Sequence, residues 1–172
     1  MIYFTSDTHF NHKNIVEGTS KWTDKTKTRP FKDLYLHNET LIHNINKVVK
    51  HDDTLYHLGD WSFGGIHSIW NFRKRLLCED IHLILGNHDY HIERGKIYDI
   101  PGEDKSFNLR ELFTSVSHYK EITVEKQHII LSHYAMRVWN KSHKGSWLLY
   151  GHSHGTINDN WGKSLIVTGK LK

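Results

Sequence analysis

The sequence predicts a layered α/β domain with mixed sheets, and two observations carry the prediction. Short apolar runs recur along the chain, and five of them stop abruptly at Asp, His or Asn. The early runs are separated by stretches with a helical rhythm, whereas later ones follow each other in alternating patterns. A chain of 172 residues is long enough to bury roughly 68–70% of its unfolded surface in one core. No internal repeat, low-complexity tract or linker interrupts it, so residues 1–172 read as a single domain.

The elements follow in order. Ile2-Tyr3-Phe4 is the first strand-like run and leads to Asp7-Thr8-His9. Residues 17–32, polar and with Pro30 near their end, read as a long surface loop. Residues 34–50 set Leu34, Leu41, Ile45, Val48 and Val49 near one helical face, with Asp33 as the N-cap. Thr54-Leu55-Tyr56-His57-Leu58 leads to Gly59-Asp60. Residues 66–78 carry Ile66, Ile69, Trp70, Arg73, Leu76 and Leu77 in a second helical rhythm. Leu83-Ile84-Leu85 is bounded by Gly86 and followed by Asn87, His88 and Asp89.

From residue 115 to 131 the pattern alternates through Val116, Tyr119, Ile122, Val124 and Ile129, which predicts a hairpin. Its second arm, residues 127–131, leads to Ser132-His133, and Trp147-Leu148-Leu149-Tyr150 leads to Gly151-His152-Ser153-His154. Residues 164–168 read as one further strand. Glycine stands at three of the five junctions, where a chain leaving a sheet turns sharply.

Composition narrows the function classes. The single cysteine, Cys78, excludes an intramolecular disulfide framework and suits a reducing compartment. The first apolar run is too short for a signal peptide, and nothing approaches the roughly 18 apolar residues of a membrane helix. The expectation is a cytoplasmic protein with no membrane partner. A net charge of +4, spread along the chain, permits nucleic acid without implying it. Sixteen histidines are the unusual number, and several sit at strand ends.

Open α/β sheets bind ligands just beyond the carboxyl ends of their strands. If the five runs share a sheet, Asp7, His9, Asp60, Asn87, His88, His133, His152 and His154 meet at one edge. Carboxylates, imidazoles and an amide oxygen suit Mn, Fe, Zn, Co or Ni and are wrong for an all-oxygen calcium site. Seven donors, with His88 set aside, exceed one tetrahedral ion, so a pair of ions about 3.5–4 Å apart fits better.

Taken together and in order, Asp7-x-His9, Gly59-Asp60, Gly86-Asn87-His88-Asp89, His133 and Gly151-His152-x-His154 resemble the calcineurin-like metallophosphoesterase superfamily. The chain is similar to its small bacterial and phage phosphoesterases, which also carry a Thr-Arg-Pro-Phe type segment (here residues 28–31) and an Arg-Val-Trp-Asn segment (137–140). The resemblance implies a four-layer α-β-β-α sandwich of two mixed sheets flanked by helices. It implies one ion on Asp7, His9 and His154, a second on Asn87, His133 and His152, and Asp60 bridging both. A water or hydroxide between the ions would attack phosphorus, and His88 would protonate the leaving oxygen or stabilise its charge. Asp89 would anchor the turn. Of the candidate metals, Mn²⁺ fits the mixed ligand set best.

The protein Ser/Thr phosphatase branch shows Gly-Asp-x-x-Asp-Arg and Gly-Asn-His-Glu. Here Phe63 stands where that branch holds its catalytic histidine with a carboxylate, and residue 89 is Asp. Protein phosphatase activity is therefore not expected. The reading is a dinuclear phosphodiesterase acting on a small phosphoester, nucleotide or cyclic nucleotide. The alternatives are a nuclease or nucleic-acid end-processing enzyme, and a non-catalytic scaffold. Every ligand is retained, against the scaffold, and no basic stripe interleaves with aromatics, against the nuclease.

Further out, Asn11 and His12 either line the site or cap its loop. Arg137 either grips phosphate or covers Trp139, and His143 is a weaker candidate for touching substrate. The remaining histidines, 37, 43, 51, 57, 67, 82, 91, 118 and 128, read as structural.

Overall fold

The computed structural model describes residues 1–18, 29–100, 102–157 and 164–166. Its elements in chain order are β1 (Ile2–Thr5), α1 (Lys13–Glu17), α2 (Leu34–Val48), β2 (Thr54–His57), α3 (Gly65–Arg75), β3 (Asp80–Ile84) and α4 (Tyr90–Glu93). These are followed by β4 (Ile97–Tyr98), β5 (Phe107–Asn108), β6 (Ser115–Ser117), β7 (Tyr119–Val124), β8 (Gln127–Ser132), β9 (Trp147–Tyr150) and β10 (Ser164–Ile166).

The five runs do not share one sheet, as the sequence reading supposed. β1, β2 and β3 line up with β6 in the order β1-β2-β3-β6, while β8 and β9 belong to a second sheet in the order β10-β9-β8-β7. The first sheet is wholly parallel, which corrects the expectation of two mixed sheets. Its cause lies in the connections: α2 joins β1 to β2 and α3 joins β2 to β3, and such crossovers return the chain in the same direction. The second sheet is mixed, with β7 antiparallel to β8 in the predicted hairpin, and β8, β9 and β10 parallel.

The strand ends still meet, because the sheets pack face to face. Tyr56, Leu58 and Ile84 of the first sheet share one apolar cluster with Ile129, Leu131 and Leu149 of the second. On the other face of the first sheet, Leu41, Ile42 and Ile45 from α2 and Ile69, Trp70 and Phe72 from α3 pack with Leu55, Ile81 and Leu83. The outer face of the second sheet buries Ile130, Leu148 and Tyr150 under Met136 and Trp139, from the segment that follows His133. Among the described residues that cover is a loop with a 3₁₀ turn (Ser142–Lys144) and no α-helix.

The helices depart from their predicted bounds for local reasons. Asp33 caps α2 as expected, its carboxylate accepting the Leu36 N–H at 2.7 Å. The buried face of α2 is Leu41, Ile42 and Ile45 together with His37 and Asn38, while Val48 is 40% exposed. α3 stops at Arg75, short of the predicted 78, because Asn46 of α2 brackets its end. The Asn46 side chain donates to the Arg75 carbonyl at 2.9 Å and accepts from the Leu77 N–H at 3.0 Å. Leu77 is then turned to solvent. The predicted loop 17–32 is also modified: Glu17 ends α1, residues 19–28 lie outside the described residues, and Arg29 is largely enclosed. No helix of the described residues is long and apolar enough to cross a membrane.

Candidate metal centre

Two strand exits build one wall of the site. Beyond β1 and β2 the chains run side by side, with Asp7 N–H on the Gly59 carbonyl at 2.9 Å and His9 N–H on the Asp60 carbonyl at 3.0 Å. Phe10 and Trp61 follow immediately, and both are fully buried in the main core, so apolar anchors fix the two polar stretches. Asp7, His9, Asp60, His152 and His154 all adopt positive φ, between 47° and 64°. Non-glycine residues there carry strain on the order of 1–3 kcal/mol each and persist where the surroundings enforce them. Strain of this kind marks five of the predicted ligands.

Among the described residues, two groups of three side chains bring donor atoms within 4.8 Å of one another: Asp7, His9 and His154, and Asp60, His133 and His152. The groups are contiguous through Asp60. Its Oδ1 lies 3.6 Å from His133 Nε2, and its Oδ2 lies 3.5 Å from His9 Nε2. In the first group His154 Nε2 is 3.3 Å from Asp7 Oδ1 and 3.1 Å from His9 Nε2. In the second, Asn87 Oδ1 is 3.3 Å from His133 Nε2. All seven predicted ligands therefore converge.

Their partners set the donor atoms. His133 is buried and donates from Nδ1 to the Leu58 carbonyl at 2.6 Å, which leaves the Nε2 lone pair aimed into the site. The His9 Nδ1 meets His12 Nδ1 at 3.2 Å, so its Nε2 also faces inward. Burial holds His9 down to about 3, with His154 and Arg29 adding to the effect, and the imidazole is neutral. Burial alone would raise Asp7, yet hydrogen bonds from His154, His9 and Ser6 hold its carboxyl well below the usual carboxylate range. The inward lone pair of His133 and the ionised Asp7 carboxylate are complementary to a cation. The donor set fits divalent metal.

Asp89 is the predicted anchor. Its carboxylate accepts the N–H groups of Asp60 at 2.9 Å, Trp61 at 2.9 Å and Gly86 at 2.8 Å, tying the end of β2 to the end of β3. Burial pushes Asp89 up to about 6 against the pull of those donors. His88 stands at the rim with its side chain 40% exposed and Nε2 4.0 Å from Asp60 Oδ2. Its backbone N–H donates to Asp60 Oδ1 at 3.0 Å. Phe63 packs against the His88 ring at 4.5 Å between centroids and stacks on His12 at 3.6 Å. An aromatic wall thus occupies the place where the sequence showed a carboxylate to be missing.

The junction glycines have a different cause from the predicted sharp turn at two of the three positions. Gly59 has φ +94°, as a turn requires, and a Cβ there would stand 2.5 Å from His133 Nδ1. Gly86 and Gly151 have ordinary φ, but a Cβ would fall 2.6 Å from Asp60 N and 2.5 Å from Asp7 Oδ2 respectively. Close approach to Asp60 and Asp7 is what requires them.

The outer candidates separate. His12 touches the site by holding His9. Asn11 turns away, donating to Ser68 Oγ at 3.0 Å, which fits the capping alternative. Arg137 and His143 are exposed on the segment after His133. Ser6 and Asn38 carry no sequence signal apart from tertiary contact, whereas Arg29 falls in the 28–31 segment without an assigned role and His37 reads as structural.

No family model matches the chain. The uncharacterized protein MJ1445 of Methanocaldococcus jannaschii is 37% identical over 107 residues, covering 59% of this chain and 53% of that protein. The chain thus spans about half the length of the curated relative it matches. Among solved structures, the protein of unknown function AQ665 from Aquifex aeolicus is similar at TM-score 0.61 and 26% identity, over 98% of this chain and 89% of that one. An archaeal phosphodiesterase is similar at TM-score 0.52 and 19% identity, over 97% and 81% of the two chains. This chain shares its fold with that phosphodiesterase.

Proposed function

We propose that this protein is a metal-dependent phosphoesterase that hydrolyses small phosphodiesters, nucleotides or cyclic nucleotides among them. The observation that carries the reading is Asp60, whose two oxygens turn to imidazoles of two different donor groups. Asp7, His9 and His154 would hold one ion, Asn87, His133 and His152 the other, and Asp60 would serve both. Divalent ions bound there, Mn²⁺ foremost, supply a water of lowered pKa and neutralise charge on the phosphoryl oxygens. His88, exposed at the rim and steadied by Phe63, delivers a proton to the leaving oxygen. The likeness of fold to the archaeal phosphodiesterase supports the reaction class.

A diester is preferred to a monoester because the motif regions supply no second arginine for a further phosphate charge. Arg137 is its single arginine after Arg110, and it stands exposed on the segment that follows His133. The test is kcat/KM for matched aryl diesters and monoesters, using chelator-stripped protein reloaded with Mn²⁺, Fe²⁺, Zn²⁺, Ni²⁺ or Co²⁺. The expected result is no turnover without metal, best recovery with Mn²⁺ and faster diester cleavage. Full activity after confirmed metal loss would contradict the mechanism, and a clear monoester advantage would contradict the preference.

A further inference from the structure

The geometry points to Arg29 as the positioning residue of the first donor group, an assignment that rests on the metal-centre reading above. Arg29 enters from the segment after α1 and lies beneath the loop that carries Asp7 and His9. Its Nη2 donates to the Asp7 carbonyl, and its Nη1 donates to the Thr8 carbonyl at 2.7 Å and to His37 Nε2 at 3.0 Å. The carbonyls of residues 7 and 8 belong to the two peptide planes between Asp7 and His9. Holding both planes fixes the direction in which the two ligand side chains leave the backbone.

The network continues in one direction only, because a guanidinium can donate and cannot accept. His37 therefore receives on Nε2 and carries its proton on Nδ1, which donates to Asn38 Oδ1 at 3.2 Å. The same Asn38 oxygen accepts the Asn11 N–H at 2.9 Å. Burial holds His37 down to about 4, so the imidazole is neutral, as this tautomer requires. His37 and Asn38 are buried on α2, on a face that is otherwise Leu41, Ile42 and Ile45. Three polar side chains, Arg29, His37 and Asn38, thus brace a stretch in which Asp7, His9 and Asn11 all take left-handed backbone.

Arg29 acts on chemistry through this loop and not by touching substrate. Three of its donors are engaged by backbone and His37, on the protein side of the loop. The fold places a permanent cation next to the ligands yet commits it to carbonyls, whose orientation a lysine's single ammonium would hold less well.

The experiment compares wild type with Arg29→Lys, Arg29→Ala and His37→Leu by two measurements. Hydrogen exchange of metal-free protein reads the amides of residues 7–12, and Mn²⁺ titration reads ion stoichiometry and affinity. In Arg29→Ala the loop amides should exchange faster while β2 and β3 are unchanged. One of the two Mn²⁺ equivalents should weaken by about 10–100-fold, as loss of an outer partner does elsewhere, with the other retained. Arg29→Lys should fall between wild type and Arg29→Ala, which keeps the test open if the alanine variant does not fold, and methylguanidine should restore Arg29→Ala in part. Unaltered loop exchange, or two ions bound at wild-type affinity in the variants, would overturn the assignment. Wild-type protein that takes up no Mn²⁺ would overturn the metal-centre reading itself. The exchange data need no metal and so distinguish the two failures.

Discussion

The two donor groups are built differently although they share Asp60. Asp7 and His9 are buried and braced from behind by Ser6, His12 and Arg29. In the second group only His133 is comparably fixed, while Asn87 and His152 are exposed. His152 is anchored through its backbone N–H, which donates to both Asp7 oxygens at 3.1 and 3.0 Å. Its ring leans on Tyr134 at 4.8 Å. Preorganised donors lose less freedom on binding, so the first group should hold its ion tightly and the second should exchange it readily. On the proposed reading, the first group would keep a resident ion and the second would exchange its ion at the substrate's side.

The most disruptive change to that comparison is Asp60→Asn, which weakens both groups together. Both ions should be lost at stoichiometric Mn²⁺, and turnover should drop beyond the roughly 10²–10⁴-fold that loss of a catalytic acid causes. Two retained ions with near-normal turnover would show that Asp60 does not join the groups. His88→Asn should cut turnover by about 10²–10⁴-fold with both ions kept, and more for poor leaving groups than for nitrophenolate. Equal losses across leaving groups would assign His88 to substrate positioning. His152→Ala should release one ion per chain, read by metal analysis after gel filtration, while the first group stays loaded; simultaneous loss of both would erase the asymmetry.

The smallest expected effect concerns pH and the metal-free protein. His57 is fully buried and held down to about 3 by that burial, accepting the Gly59 N–H on Nδ1 and meeting Thr8 Oγ1 at 2.8 Å. In the unfolded chain the same imidazole takes up a proton near pH 6.5. The unfolded state therefore binds more protons below that value, so stability present above pH 6.5 is lost as pH falls toward 4. Melting temperature should decline across that window, and His57→Gln should flatten the slope. A profile that is flat from pH 7 to 4 in the wild type would contradict a neutral buried His57.

Much of the site could be read from the sequence because apolar runs ending in Asp, His or Asn encode both a strand and its terminus. The candidate ligands Asp7, Asp60, Asn87 and His133 needed no knowledge of which strand pairs with which. The division into two sheets was not readable, since pairing partners are distant in sequence and β3 and β8 have similar apolar character. Helix ends failed where a residue from elsewhere decides them, as Asn46 does for α3. Arg29 lies in the 28–31 segment that carries part of the resemblance, but its role was not legible: a charged residue in a polar segment reads as surface, and only tertiary contacts reveal that it is enclosed. Gly86 and Gly151 stand at strand exits as the sequence predicts, but close approach to Asp60 and Asp7 requires them, since neither has the positive φ of a left-handed turn.

Anomalous diffraction from crystals soaked in Mn²⁺ tests the central claim most directly. Two peaks about 3.5–4 Å apart are expected, one bounded by Asp7, His9 and His154 and the other by Asn87, His133 and His152, with one Asp60 oxygen on each. At limiting Mn²⁺ the first peak should fill before the second. A single peak, or two peaks with Asp60 bound to one of them alone, would contradict the account.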